Sequence, residues 1–273
     1  MSDAQPSAGL ELAKLTWPEA RARFGDRLVA VVPTGATEPH GPHLPLDVDV
    51  TISSAQAKRT AELLGEQGVD ALVLPPVPYG VTFFTEGFEG RVTLRPGTFW
   101  ALLEDLVDSL SEQGVRQVLL CNAHLETGQI KVLRGIAKDY AEPRKGKATV
   151  RLVDITRRRY VERLGAEFQS GDCHAGRYET SIVMAADPEG VREAERLALP
   201  KKDVELVAKM QAGATSFREV GADQAYCGAP AEASGPEGDE LIEALAGIGL
   251  DIAREAWPQL FGSQPSETAE AAR

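Results

Sequence analysis

The stretch RLVAVVPTGATEPHGPHLPLDVDVTISSAQAKRTAELLGEQG, residues 27–68, changes character twice. It opens on a continuous run of Leu, Val and Ala that Pro33 and Gly35 bring to an end. An unbroken β-branched run of this length is the pattern of a parallel strand buried on both faces. It closes on an amphipathic run from Val50 that stops at Gly68, the pattern of a helix. Between the two lie Glu38, His40, His43, Asp47 and Asp49. Strand, crowded polar connection, helix: this is the opening of a βαβ unit.

The pattern then repeats. Residues 70–77 (DALVLPPV) read as a second strand, and 96–114 as a helix punctuated by Pro96 and Gly114. Residues 115–122 read as a third strand, 126–141 as a helix and 148–155 as a fourth strand. The alternation predicts an α/β fold with right-handed crossovers and a mostly parallel, Rossmann-like sheet covered on both faces. Residues 80–97 are aromatic and glycine-punctuated, which suits a loop or hairpin over a site rather than a helix. Residues 226–240 read as a surface loop before a last helix at 240–257. One domain is expected over 1–262, with 263–273 as a flexible C-terminal tail.

Composition narrows the function classes. In 273 residues, 43% are hydrophobic and 26% charged, as in an ordinary globular protein with a substantial core. The formal net charge of −12 disfavours nucleic acid as a partner, which needs clustered Lys and Arg. The one dense basic patch, TRRRY at 156–160, reads as a solvated helix start. No apolar run approaches the roughly 18 to 20 residues that cross a bilayer. The N-terminus has no basic segment followed by an apolar one, so no signal peptide is expected. Cys121, Cys173 and Cys227 are too few for a disulfide framework and suit a reducing cytoplasm, packed as small buried hydrophobes. No G-x-G-x-x-G follows the first strand and no P-loop lysine appears, which disfavours nucleotide binding.

All four histidines sit beside carboxylates. His40 and His43 share a segment with Glu38 and Asp49, His124 is two residues from Glu126, and His174 is five from Glu179. The first two segments leave the carboxyl ends of strands, where open α/β sheets bind their ligands. Imidazole nitrogen with carboxylate oxygen and no thiolate suits Zn²⁺, Mn²⁺ or a similar divalent ion. Such a set exceeds the needs of one tetrahedral zinc. Two ions about 3.5 to 4 Å apart, bridged by a carboxylate, would use it all. Any one of these histidines alone reads as a cap or core group; four in such clusters favour metal.

Three motifs in one order, over about residues 27–184, resemble the creatininase (creatinine amidohydrolase) family. PTGATEPHGPHLPLDVDV is similar to its P-x-G-[SA]-x-E-x-H-G-x-H signature with an Asp nine residues after the first His. NAHLETG and HAGRYETS are similar to its two further segments. The resemblance implies a single three-layer α/β/α sandwich, commonly a homohexamer, holding two divalent ions, Zn²⁺ or Mn²⁺. It implies Glu38 and His40 as ligands to different ions, Asp49 as the bridge, and His124 and Glu126 as the ligands that complete the two sites. His43 and Asp47 then support those ligands from behind. His174 matches the family's catalytic histidine, a general acid for the leaving nitrogen, with Glu126 and Glu179 as further catalytic groups. The reaction implied is hydrolysis of a C–N amide bond in a small, possibly cyclic, amide by hydroxide formed on the metals.

One departure concerns the substrate. Creatininase proper closes its pocket with tryptophans, one of them four residues before the catalytic histidine. Here that position is Ser170, and no Trp occurs between Trp100 and Trp257, so creatinine itself is disfavoured. A second reading is a metal-dependent peptidase of the mycofactocin precursor type, a member of the same family. A non-catalytic metal-binding protein is the alternative from another class; it would dispense with Glu126 or His174, and both are present.

Overall fold

Strands with apolar side chains on both faces must be covered on both faces, and the computed structural model, which describes residues 9–262, shows how. The short helix α1 (Trp17–Arg23) leads into β1 (Val29–Thr34), all of it buried. Helix α2 (Val48–Glu66) crosses to β2 (Ala71–Val73), α3 (Pro96–Glu112) to β3 (Gln117–Asn122), and α4 (Thr127–Asp139) to β4 (Thr149–Val153). The four strands form one parallel sheet in the order β2-β1-β3-β4. After β4 come α5 (Arg158–Val161), α6 (Gly165–Ser170), α7 (Arg177–Ala186), α8 (Glu193–Ala198), α9 (Leu206–Gln211) and the long α10 (Gly235–Ala256).

Alternate residues along each strand sort into two cores, as the pleat requires. Val29, Val31, Leu119, Cys121 and Val153 join α2, α7 and α10 on one side. Ala30, Val32, Leu72, Val118, Leu120, Val150 and Leu152 join α3 and α4 on the other. The result is the expected three-layer α/β/α sandwich. A third, smaller cluster of Phe84, Val204, Leu206, Phe217, Val220, Ala222 and Cys227 stands apart from both.

Two expectations shift. The second strand ends at Val73, because Pro75 and Pro76 have no N–H to offer a neighbour. The chain still hugs β1, with Val77 donating to the Pro33 carbonyl at 2.9 Å. Residues 226–240 are no surface loop: Tyr226 to Pro230 are buried and α10 starts at Gly235. The Ser-Gly-Pro-Glu run there is a helix start, with the Ser234 side chain accepting the Glu237 N–H and Pro236 in the first turn. The expected tail at 263–273 lies outside the described residues. Residues 156–160 behave as read: Arg157, Arg158 and Arg159 are exposed at the start of α5. The three cysteines are buried and unpaired.

Helices α7 and α10 approach closely at Gly238. A Cβ there would lie 1.9 Å from the Ser181 carbonyl oxygen and 2.9 Å from the Ala185 Cβ. Two effects oppose each other in Gly238→Ala. Alanine favours the helix by about 1 kcal/mol, whereas overpacking against backbone costs about 1–3 kcal/mol. The backbone clash has no rotamer to relieve it, so we expect a net loss of stability of about 1–2 kcal/mol in denaturant titration. A stabilised Gly238→Ala variant would show that the two helices do not pack this closely.

Candidate metal centre

The sheet order places the site. From β1 the chain turns one way to β2, while β3 turns the other way to β4, so a crevice opens between the carboxyl ends of β1 and β3. The residues after β1 supply Glu38 and His40; those after β3 supply His124 and Glu126. Asp49 enters from the first turn of α2, where the positive end of the helix favours a carboxylate. Gly35 makes this possible. A Cβ on it would stand 2.8 Å from the Asp49 carbonyl carbon and Cβ and from the Val50 nitrogen. Glu179, in the first turn of α7, and His174, just before it, close the far side.

Each of three imidazoles is tied to a backbone carbonyl by one nitrogen. His40 Nδ1 is 3.1 Å from the Glu38 oxygen, His124 Nε2 2.9 Å from that of Val81, and His174 Nε2 3.0 Å from that of Pro39. A carbonyl only accepts, so those nitrogens carry the hydrogens, and in the neutral rings the lone pairs fall on His40 Nε2, His124 Nδ1 and His174 Nδ1. All three of these nitrogens face carboxylates. His40 Nε2 lies 3.5 Å from Asp49 Oδ1, 3.6 Å from Glu179 Oε2 and 3.8 Å from Glu38 Oε1. His124 Nδ1 lies 3.1 Å from Asp49 Oδ2 and 3.2 Å from Glu38 Oε1, and His174 Nδ1 is 3.9 Å from Glu38 Oε1. His40 Nε2 and Asp49 Oδ2 are buried and lack hydrogen-bond partners. Lone pair against lone pair in a dry crevice requires a cation, either protons on the rings or metal ions.

Three groupings have the spacing to hold an ion: Glu38, Asp49 and His124; His40, Asp49 and Glu179; and Glu38, His40 and His174. The first two share Asp49. The charge balance shows in the titrations. Burial opposes charge on His40, yet Asp49, Glu179 and Glu38 push its pKa up to about 10. His124 is likewise raised, against burial, by Glu38 and Asp49. Both of these carboxylates are in turn held below their ordinary range by the imidazoles, again against burial. Burial pushes Glu179 up to about 8. His174 is pushed down to about 4 by burial and by the charge on His40.

The structure brings Glu38, His40, Asp49, His124, His174 and Glu179 together. Glu126 lies outside the three groupings. Its carboxylate accepts the N–H groups of Phe83 at 3.1 Å and Phe84 at 2.9 Å, so it fastens the 80–97 segment over the site, and burial raises its pKa. That segment also reaches Glu38, through the Thr82 hydroxyl. His43 is buried behind the cluster, with Nε2 3.0 Å from Thr180 Oγ1. Asp47 does not support the cluster from behind: it is exposed at the N-cap of α2.

Above the cluster is a small cavity of about 90 Å³ with walls of Phe84, Leu125, Leu206, Val207, Met210 and Phe217. Phe217 stacks on the His174 ring, with centroids 4.2 Å apart. It supplies an aromatic wall that the tryptophan pattern gave no reason to expect, while Ser170 lies exposed at the end of α6. Phe84 is buried and meets Phe217 edge-on, whereas Phe83 is exposed.

The sequence model of the creatininase family, described as creatinine amidohydrolase, matches residues 13–248. The chain belongs to the creatininase family of amidohydrolases. It is 31% identical over 221 residues to the mycofactocin precursor peptide peptidase of Mycolicibacterium smegmatis, spanning 78% of this chain and 79% of that one. It is 31% identical over 199 residues to the creatinine amidohydrolase of Pseudomonas putida, spanning 67% and 74%. A solved structure described as creatininase Mn superposes with a TM-score of 0.66 at 26% identity, covering 91% of this chain and 99% of that one. Among the described residues no helix is long and apolar enough to cross a membrane.

Because His40 and His124 hold protons where an ion would sit, metal uptake must displace them. We expect zinc binding at pH 8 to release about two protons per chain, read by calorimetry in buffers of different ionisation heat. The sign for the metal-free fold follows from the raised pKa: His40 stabilises it below about 6.5, and this contribution is lost as pH rises through about 10. Zinc uptake without proton release would show that the rings are neutral and the balance described here is wrong.

Proposed function

We propose that the chain is a hydrolase with two divalent ions per chain that cleaves the C–N bond of a small amide. The observation that carries this reading is the convergence of three imidazole nitrogens on the carboxylates of Glu38, Asp49 and Glu179. Glu38, Asp49 and His124 would hold one ion, and His40, Asp49 and Glu179 the other, with Asp49 shared through its two oxygens. The nitrogen–oxygen donor set suits Zn²⁺, and Mn²⁺ fits it too, as in the structure described as creatininase Mn. Bound there, divalent ions would polarise an amide carbonyl and make water acidic near neutral pH.

The residues divide the remaining work. The Pro39 carbonyl fixes the hydrogen of His174 on Nε2 and leaves Nδ1 free towards the cluster. Burial disfavours charge on the ring, so it starts neutral. It therefore takes the proton that water loses and hands it to the departing nitrogen at Nδ1, so that hydroxyl ends on carbon and hydrogen on nitrogen. Glu126, half-buried at the cavity edge, is the second group placed to carry a proton. The apolar walls exclude water, which strengthens every electrostatic contact within. A cavity of about 90 Å³ with aromatic walls favours a small amide over an extended chain. The peptidase reading rests on a different observation, the 31% identity to the mycofactocin precursor peptide peptidase. A screen of creatinine, lactams, formamides and short peptides with the zinc-loaded protein separates the two.

Metal content tests the assignment residue by residue. We expect about two ions per chain by elemental analysis. Asp49→Ala should lose both. Glu179→Gln should retain about one ion, and Glu126→Gln about two. His174→Ala should keep its metal but lose turnover by about 10²–10⁴-fold. Equal metal loss in His174→Ala and Asp49→Ala would refute these roles.

A further inference from the structure

The segment carrying His174 and Glu179 is held in an unusual conformation, in part by groups outside the cavity. Ala175 has φ at +50°, a left-handed value that a side chain resists unless its surroundings impose it. One clamp is internal, since the Ala175 N–H donates to Glu179 Oε2 at 2.6 Å. Another is the Cys227 N–H, which donates to the His174 carbonyl at 2.9 Å. What joins the two strips of chain is Glu167 on α6. Its Oε1 accepts the Tyr178 N–H at 2.8 Å and its Oε2 the Ala229 N–H at 2.7 Å.

The carboxylate sits in a cradle of two glycines. A Cβ on Gly176 would lie 2.4 Å from Glu167 Oε1, and one on Gly228 2.4 Å from Oε2. Backbone closes in beside it, since the same Cβ atoms would lie 2.6 Å from the carbonyl oxygens of Cys227 and Asp172, so both positions call for glycine. Arg177, beside Tyr178, turns instead to Glu237, with Nε 2.7 Å from Oε2. Among the described residues, the hydrogen bonds that reach the Glu167 carboxylate come from backbone N–H groups. A surface carboxylate seeks water or a cation; this one binds backbone on two segments at once.

We propose that Glu167 is a positioning residue that sets the pose of His174 and Glu179 by locking the 174–179 turn to the 227–229 strip, without contact to substrate or metal. The inference rests on the reading that His174 and Glu179 work in the site. Glutamine has one acceptor oxygen, so Glu167→Gln leaves either Tyr178 or Ala229 facing an NH₂ group, while the volume is unchanged. Charge-assisted bonds to backbone N–H are the stronger kind, so the turn should lose its lock.

The chain has only four histidines, which makes the test direct. In the zinc-loaded, ¹⁵N-histidine-labelled full chain, Glu167→Gln should shift or broaden the His174 ring signals. Those of His124, anchored on Val81 away from the turn, should stay in place. Zinc at the second equivalent should weaken by about tenfold or more, and the first should not. On whichever screened amide the wild type cleaves, kcat should fall by about 10²-fold with KM nearly constant, the scale of a misplaced catalytic group. Should the glutamine variant not fold, Glu167→Asp, whose shorter arm cannot reach both partners, is read in the same way. Unchanged His174 signals overturn the proposal. So does a uniform shift of all four histidines, which marks plain destabilisation. His174→Ala, run alongside, separates the failures: full turnover in it removes the role of His174, while the ring signals and zinc binding still judge Glu167.

Discussion

Six buried side chains able to carry charge meet in one crevice, and the architecture around them answers to that fact. Burying a carboxylate is expensive unless a partner compensates it. Here Glu38, Asp49 and Glu179 face the three nitrogens that the backbone carbonyls of Glu38, Val81 and Pro39 leave free. The carbonyls are the decisive partners. By fixing the hydrogen on the far nitrogen of each ring, they turn the near nitrogens into a set of donors with one direction. Such a set is balanced by protons or by metal ions, and each can displace the other. On the proposed reading, loading with metal and loss of protons are therefore one event.

The sheet delivers this arrangement because its strand order reverses between β1 and β3. Residues leaving the two strands diverge, and the crevice between them collects side chains from both. Gly35 then lets the first turn of α2 pass close enough for Asp49 to reach across. On the opposite side, α10 presses α7 inward at Gly238, and α7 brings Glu179. Packing in the outer layer thus sets a distance in the site. Loss of a close glycine contact in either place acts on the ligand geometry through backbone, which no side-chain rotation can absorb.

The layers and most of the cluster were legible in the sequence because their signals are strong: unbroken β-branched runs, helix stops at glycine, and histidines next to carboxylates. Other residues carried weaker or ambiguous signals, and the reason is physical. Glu126 and Glu179 look alike in sequence, each a few residues after a histidine. Helix geometry separates them: Glu179 in the first turn of α7 points back at His40, while Glu126 spends its oxygens on the N–H groups of Phe83 and Phe84. Asp47 is two residues from Asp49, yet it faces water at the N-cap. Residues 226–240 misled by composition, because glycine and proline after Ser234 start a helix rather than a loop. Phe217 and Glu167 carried no local signal, since one acts by stacking on a distant ring and the other through backbone.

This division bears on what differs among relatives with the same metal chemistry. The proposed ligands come from the chain leaving β1 and β3 and from the first turns of α2 and α7. The cavity walls come largely from elsewhere: Phe84 from the 80–97 loop, and Leu206, Val207, Met210 and Phe217 from short helices and irregular chain after α8. Asp172 fastens that roof, accepting the N–H groups of Val204, Glu205 and Leu206 at 2.6 to 3.0 Å, and it lies two residues before His174. Roof and His174 are thus tied to one short segment. A change of substrate can proceed by rebuilding the roof, as irregular segments tolerate. The segment from Glu167 to Glu179 cannot be rebuilt so freely, because it carries two residues of the cluster and the carboxylate that fastens the roof.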